Sequence, residues 1–157
     1  VGEMIAKGDD MMKGYRNAPK ATEETIKGEY LYTGDLATVD EEGYIYLKGR
    51  KKDATTTQGK VVMPSEIEEV IFRHPEVLEV TIIGIPDEKL GEAIKAVVIK
   101  GEGEITGEEL ISLCEQNLPA YAVPKSVDFV PSLPKTPSGK VQRYKVREKY
   151  IQLGNKL

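Results

Sequence analysis

Two apolar segments that follow each other closely place the strongest constraint on how this chain can fold. The first, VLEVTIIGI, begins at Val77, and the second, EAIKAVVIKG, begins at Glu92. Both segments are short and rich in β-branched residues, which is typical of strands. The intervening PDEKLG has the proline, aspartate and glycine of a turn. The sequence therefore predicts two consecutive strands joined by a turn.

Helix signals lie on both sides of this strand pair. Pro64 suits the first turn of a helix that carries one apolar stripe and several early glutamates. Farther along, Thr106 and Glu109 have the spacing of a capping box, and Ile105 and Leu110 are placed as its hydrophobic staple. A short strand VDFV, a proline-rich loop and a basic helix RYKVREKYIQLG follow.

The order helix, strand, strand, helix, strand, loop, helix predicts an α+β fold, in which a short sheet is flanked by helices. We assign this small domain to residues 52–157. Residues 1–51 read as short strands and turns, with Thr33-Gly34-Asp35 as a turn at a strand end, and they form an incomplete, β-rich piece. A hairpin around Gly59 follows the charged joint GRKKD.

Composition excludes several classes of protein. The net charge is −4 and the pI is about 5.2, which argues against a nucleic-acid binder. The apolar runs are too short to span a membrane. The only cysteine, Cys114, falls in an apolar helical pattern, which predicts a buried thiol and suits a reducing cytoplasm. The only histidine, His74, is not part of a cluster of metal-binding residues, so the sequence predicts no site built on histidine and cysteine ligands. The start has neither Met nor signal peptide, so we expect the chain to begin inside a longer protein.

Four residues are candidates for chemistry, although each also has a plain structural explanation. Lys140, in LPKTPSGKVQR, fails the P-loop pattern because Val141 replaces the hydroxyl residue, which leaves a point charge for an oxyanion or a solvated lysine. Asp35 could accept bonds from a vicinal diol or simply end a turn. Arg50 could grip a phosphate or ribose, or pair with an acid, and Gly59 could admit a ligand or only permit a turn.

The order of these motifs is more specific than any one of them. TGD, GRKKD, a glycine hairpin leading to PSEIE, HPEVLEV, IGIPD and PKTPSGKVQR resemble, in this order, the adenylate-forming superfamily, in particular the acyl-CoA synthetases. The resemblance implies the end of a large N-terminal domain followed by a whole mobile C-terminal domain, a fragment inactive alone. It also implies a carboxylate substrate, a fatty acid by overall likeness, together with ATP, coenzyme A and Mg²⁺, whose ligands lie mostly upstream.

The resemblance also assigns roles to individual residues. By its position in the motifs, Lys140 corresponds to the catalytic lysine, and Lys52 corresponds to the hinge between the two domains. Asp35 and Arg50 correspond to residues that bind the ribose of ATP. Gly59, together with Gln58, corresponds to the site of the pantetheine arm of coenzyme A. One segment departs from the family pattern, since Ala54-Thr55-Thr56 stands where large aliphatic residues are common. It predicts a smaller and more polar hairpin face toward the active site.

Two other functions are compatible with parts of this pattern. One is an amino-acid adenylation domain that loads a carrier protein, which predicts a carrier domain soon after Arg143; a natural terminus at Leu157 would disfavour it. The other is a stand-alone nucleotide-sensing or interaction module, which the residues upstream of Val1 would distinguish from an enzyme.

Overall fold

The computed structural model describes residues 1–154 of the chain. They form four helices and two sheets, which confirms the α+β prediction. The chain divides into two compact units between Lys52 and Asp53. Within residues 1–154, every helix is too short or too polar to cross a membrane.

The first unit is built on one long strand. Its elements are β1 (Gly2–Ala6), α1 (Pro19–Thr25), β2 (Ile26–Lys27), β3 (Tyr30–Val39) and β4 (Ile45–Arg50). Strand β3 pairs antiparallel with each of the other three strands. Within residues 1–52 only Leu36 and Ala37 are buried apolar side chains, whereas the apolar side chains of β4 are largely exposed. The unit therefore has little core of its own.

The prediction that Thr33-Gly34-Asp35 is a turn at a strand end was wrong. The three residues lie inside β3, where they bulge outward opposite a single residue, Met4, of β1. Gly34 takes the left-handed conformation, with φ +72°, and this local signal also suits a turn. The strand continues because residues on both sides of the bulge pair with the same neighbouring strand.

The second unit contains the predicted order of elements. A 3₁₀ turn (Lys51–Asp53) leads into β5 (Thr55–Thr57), β6 (Lys60–Val62), α2 (Pro64–Ile71), β7 (Val77–Asp87), β8 (Gly91–Lys100), α3 (Gly107–Asn117), a second 3₁₀ turn (Ala120–Ala122), β9 (Ser126–Phe129) and α4 (Arg143–Gly154). The turn between β7 and β8 is shorter than predicted. The Asp87 carboxylate closes it by accepting bonds from the amides of Lys89 and Leu90.

Strand β8 is the centre of the second sheet. One of its edges pairs antiparallel with β7 along its whole length. The other edge pairs with β5 at Gly91 and, in parallel, with β9 from Lys95 to Val98. Because side chains alternate along a strand, the sheet has two apolar faces.

Each face of this sheet is covered by helices. Helices α2 and α3 pack on one face, against residues that include Ile82, Ile94 and Val98. The other face, with Ile83 and Val97, packs against Val146 of α4 and against Leu133 in the preceding loop. Helix α4 and the proline-rich loop are therefore anchored to the same side of the sheet.

The local signals for α3 were confirmed. Thr106 accepts a bond from the Glu109 amide, and the Glu109 carboxylate accepts one from the Thr106 amide. Ile105 and Leu110 are both buried in the core. Cys114 is fully buried as predicted, and this burial raises the pKa of its thiol to about 11.

Candidate functional site

Asp35 and Arg50 are brought together by the pairing of β3 with β4. They stand directly opposite each other in the ladder, and Asp35 Oδ1 lies 3.1 Å from Arg50 Nε. Arg50 also donates to the carbonyl of Thr33, at 2.9 Å. The other carboxylate oxygen of Asp35, Oδ2, accepts no hydrogen bond from residues 1–154. The pair thus offers one carboxylate oxygen and part of a guanidinium to a ligand.

Hydrogen bonds to residues of β1 stabilise the bulge that carries Asp35. Glu3 accepts a bond from the Gly34 amide and another from Lys51 Nζ, at 2.9 Å. The bond from Lys51 is the main reason that the pKa of Glu3 is lowered. Thr33 Oγ1 donates to the carbonyl of Met4, at 2.7 Å. The sequence analysis missed Glu3, because its partners lie about thirty to fifty residues away along the chain.

Lys52 follows directly on this pair and is the last residue of the first unit. It lies in the 3₁₀ turn Lys51–Asp53, and it lines an open cavity together with Gly34, Arg50 and Lys51. Its side chain makes no ion pair or hydrogen bond with the residues that the structure describes. The backbone at Lys52 is thus a short connection between two separately packed units.

The predicted hairpin around Gly59 is present. Gln58 and Gly59 form its two-residue turn, both with positive φ, at 51° and 73°, as a type I′ turn requires. The Gln58 amide donates to the carbonyl of Leu90, at 2.8 Å, which ties the turn to the β7–β8 turn. A Cβ added at Gly59 would meet no atom within 4 Å. The tip of the hairpin is therefore anchored by its backbone and open on its surface.

The departure at Ala54-Thr55-Thr56 divides between the two sides of the hairpin strand. Thr55 is only 3% exposed, and a Cβ added at Gly84 would lie 2.6 Å from its Cγ2. Thr56 is the exposed member, opposite the exposed Val61 of β6. Alternation along β5 explains the difference: the small Thr55 side chain packs against β7, and only Thr56 faces solvent.

The loop before α4 is a small closed structure. Lys135 bridges to Val141, and the Gln142 amide donates to the carbonyl of Pro134. Lys135 Nζ also pairs with Glu79 of β7, at 2.6 Å. Inside the loop, the Gly139 amide donates to the Thr136 carbonyl, at 2.9 Å. This is a β-turn with Pro137 and Ser138 at its centre.

Lys140 directly follows this turn. Its amide donates to Thr136 Oγ1, and its carbonyl accepts from the Thr136 amide, at 2.8 Å. The backbone of Lys140 is thus held on both sides by one residue. Its side chain is exposed and has no ion pair or hydrogen bond with residues 1–154. The loop therefore presents an uncommitted ammonium group on a fixed backbone.

The candidate residues form separate groups in the two units. Asp35 and Arg50 form the first, the turn at Gln58 and Gly59 the second, and the loop of Lys140 the third. Among residues 1–154, no group of three or more His, Cys, Asp or Glu side chains could hold a metal ion. The described residues therefore do not fit a Mg²⁺ centre.

The second unit also contains residues that the sequence analysis did not single out. They are Asp53, Glu68, Glu92, Arg143 and Arg147, which form two ion-pair networks. Glu68 was interpreted only as one of the early acids of α2. In the structure its carboxylate accepts bonds from the Ile82 amide and from Arg143. No periodicity or motif signals such pairs, because their partners are distant in sequence.

Comparisons with known proteins point to one family. Residues 66–140 match the model of the AMP-binding enzyme C-terminal domain. A long-chain-fatty-acid–CoA ligase of Yersinia pestis is 42% identical over 153 residues. The match covers 98% of this chain and 27% of that ligase, so the chain spans about a quarter of its curated relative.

Solved structures agree with this match. ATP-bound MatB from Rhodopseudomonas palustris superposes with a TM-score of 0.85 at 35% identity, over 96% of this chain and 31% of that one. The o-succinylbenzoate CoA synthetase of Bacillus subtilis, in complex with its acyl-adenylate intermediate, superposes with a TM-score of 0.87 at 32% identity. That match covers 93% of this chain and 30% of the synthetase. The similarity therefore includes both units.

Proposed function

The chain belongs to the AMP-binding, adenylate-forming enzymes, whose C-terminal domain it carries, and we propose that it is the C-terminal part of an AMP-forming acid–thiol ligase. In this proposal the whole enzyme activates a carboxylate with ATP to an acyl-adenylate and pyrophosphate. Coenzyme A then displaces AMP to give the thioester. The observation that carries the proposal is the position of Lys140 at the end of a turn. Its backbone is fixed by hydrogen bonds to Thr136, whereas its ammonium group is exposed and has no polar partner among residues 1–154.

We assign the ribose of ATP to the Asp35 and Arg50 pair. An ionised carboxylate accepts hydrogen bonds only, so it suits the two hydroxyl donors of a vicinal diol. Arg50 already fixes one oxygen of Asp35 at 3.1 Å, which leaves Oδ2 available. The arginine thereby orients the carboxylate and adds a positive charge beside the nucleotide. Glu3 supports the pair by holding the bulge in place.

Lys140 is assigned to the adenylate-forming step. Negative charge accumulates on the α-phosphate as the carboxylate attacks, and an ammonium placed between the two groups stabilises that charge and aligns the reactants. The turn at Thr136–Gly139 serves this role because it fixes the backbone of Lys140 before the substrate binds. An ammonium on a mobile loop would lose this advantage, since ordering the loop would cost conformational entropy.

The second half-reaction is assigned to the Gly59 hairpin. The open surface above Gly59 leaves room for the pantetheine arm of coenzyme A, and the neighbouring Gln58 can contact the same arm. Lys52 is the proposed hinge, at which the C-terminal domain turns between the two half-reactions. A few backbone torsions in a short connection can carry such a rotation.

The acyl group is proposed to be a fatty acid, because the relative from Yersinia pestis is a long-chain-fatty-acid–CoA ligase. The Bacillus subtilis relative acts on o-succinylbenzoate, so the fold of these two units accommodates more than one carboxylate. Selectivity is therefore assigned to the remaining part of the enzyme. ATP and coenzyme A are the expected co-substrates in either case.

The test uses the full-length enzyme that contains this chain, with the two half-reactions measured separately. Pyrophosphate release without coenzyme A reports adenylate formation, and thioester formation from pre-made acyl-adenylate reports the second step. Lys140→Ala should slow the first step by about a hundredfold to a thousandfold, which is typical for a lost transition-state charge contact, and should largely spare the second.

Lys125→Ala is the matched control, because Lys125 is another exposed lysine of the same unit. This variant should retain both rates. Equal losses of both half-reactions in Lys140→Ala would contradict the role assigned to the lysine. A panel of carboxylates of different length in the same pyrophosphate assay identifies the acyl substrate.

A further inference from the structure

Two arginines of α4 connect the loop of Lys140 and the Gly59 hairpin to the body of the second unit. Arg143 is the first residue of α4 and Arg147 lies one turn later, so both project from the same side of the helix. Each makes two bonds to different elements. Neither arginine is explained by packing or by the assigned half-reactions.

Arg143 stands between the lysine loop and the start of the unit. Its Nη1 donates to Asp53 at 3.0 Å and its Nη2 to Glu68 at 2.6 Å. Asp53 is the first residue after Lys52, and Glu68 also holds the amide of Ile82 in the middle of β7. The arginine therefore joins the beginning of the unit, α2 and the sheet at one point.

This arginine is also attached directly to the lysine loop. The preceding residue, Gln142, closes the loop because its amide donates to the carbonyl of Pro134. The carbonyl of Gln142 accepts hydrogen bonds from the amides of Lys145 and Val146 in the first turn of α4. The Arg143 side chain is only 24% exposed. Its Nε is buried without an acceptor among the described residues, a cost that an ordinary surface ion pair does not carry.

Arg147 makes a corresponding connection to the hairpin. Its Nε donates to the carbonyl of Gly84 at 2.8 Å, and its Nη2 donates to Glu92 at 2.6 Å. The other oxygen of Glu92 accepts from the amide of Thr56, at 2.8 Å. Thr56 lies in β5, two residues before the turn at Gln58. The link thus runs from α4 through one carboxylate to the backbone of the hairpin.

We propose that Arg143 and Arg147 are positioning residues with separate effects, Arg143 for the lysine loop in adenylate formation and Arg147 for the hairpin in thioester formation. The inference rests on the proposed roles of Lys140 and Gly59. The physical reason is that a guanidinium holds two acceptors in fixed directions at once. Without it, the attached loop keeps its sequence but loses its fixed position relative to the sheet.

The test again uses the full-length enzyme and separate half-reactions. Arg143→Gln should lower the rate of adenylate formation, by up to about a hundredfold for a displacement of about 1 Å, and largely spare thioester formation. Arg147→Gln should show the reverse. Arg143→Lys and Arg147→Lys should recover only part of each loss, because an ammonium cannot hold two acceptors in fixed directions as a planar guanidinium does.

A second variant tests the hairpin link from its other end. Glu92→Gln should lower the thioester rate as Arg147→Gln does, and the double variant should lose no more than either single one, since both break the same connection. Arg73→Gln is the control, because Arg73 is an exposed arginine whose polar partners among residues 1–154 are Glu69 and Asn117. It should leave both rates unchanged.

A merely structural role predicts another result, namely that each arginine variant lowers both half-reactions in the same ratio as the folded fraction. That outcome, or no change in either rate, would overturn the inference. Lys140→Ala and Gly59→Leu, measured in parallel, report on the proposed function itself. If Lys140→Ala spares adenylate formation, or if Gly59→Leu spares thioester formation, the proposed function is contradicted. If both of these variants behave as expected and the arginine variants do not, only the inference about the arginines is contradicted.

Discussion

Gly84 of β7 has no room for a side chain, and the cost of adding one can be measured as a loss of stability. A Cβ at this position would lie 2.6 Å from Thr55 Cγ2, 2.9 Å from Thr55 Oγ1 and 3.0 Å from Glu92 Cδ. Carbon atoms pack best at about 3.5–4.0 Å, so Gly84→Ala requires a shift of about 1 Å in a buried residue. Gly84 does not have a positive φ, so the backbone itself tolerates alanine.

The size of the effect follows from two opposing terms. Overpacking by one methyl group in a filled core costs about 1–3 kcal/mol. Replacing glycine by alanine at a compatible backbone position returns about 0.4–1 kcal/mol by restricting the unfolded chain. The difference of the two terms spans about 0–2.6 kcal/mol, and we expect Gly84→Ala to lower the free energy of unfolding within this range, measured by urea denaturation of the 157-residue chain.

A double-mutant cycle decides whether Thr55 is the cause. Thr55→Ala removes the two atoms nearest to the new methyl group, so Gly84→Ala should cost at least about 1 kcal/mol less in that background. Thr57→Ala is the matched control, because Thr57 is a buried threonine of the same strand and contributes none of the three atoms nearest to a Cβ at Gly84. Additive effects of the Gly84 and Thr55 changes would refute this account.

Three further perturbations test other parts of the structure. Lys52→Pro in the full-length enzyme fixes φ at the proposed hinge and should slow thioester formation more than adenylate formation; full retention of both rates would contradict the hinge. Thr106→Ala removes the cap of α3 and should lower the free energy of unfolding by about 1 kcal/mol, whereas an unchanged urea midpoint would contradict the capping box. Cys114 is buried and the pKa of its thiol is raised to about 11, so alkylation at pH 8 should be slow in the folded chain and fast in denaturant; equal rates would contradict its burial.

Much of the fold could be predicted because its signals are local. The turn at Gln58 and Gly59, the proline at the start of α2 and the cap of α3 each depend on residues within about four positions of one another. The same is true of the alternation that predicts β7 and β8. Such features are set by backbone sterics and nearby side chains, which the sequence displays directly.

The ion-pair networks of α4 could not be predicted in this way. Arg143 is 90 residues from Asp53 and 75 from Glu68, and Arg147 is 55 residues from Glu92. In sequence these residues look like ordinary charges of a basic helix, an acidic helix start and a strand. Only the packing of α4 on the sheet brings them within hydrogen-bond distance, so their function cannot be inferred from spacing.

The geometry of the Asp35 and Arg50 pair depends on a single extra residue in β4. Val39 pairs with Ile45 and Ala37 with Leu47, and this register, continued without change, would place Asp35 opposite Gly49. The ladder shifts by one residue after Ala37, and Arg50 becomes the partner of Asp35 instead. A shift of one residue also exchanges the faces of a strand, so the bulge decides which side chains meet. The motifs identify both residues, but their contact is a property of the sheet.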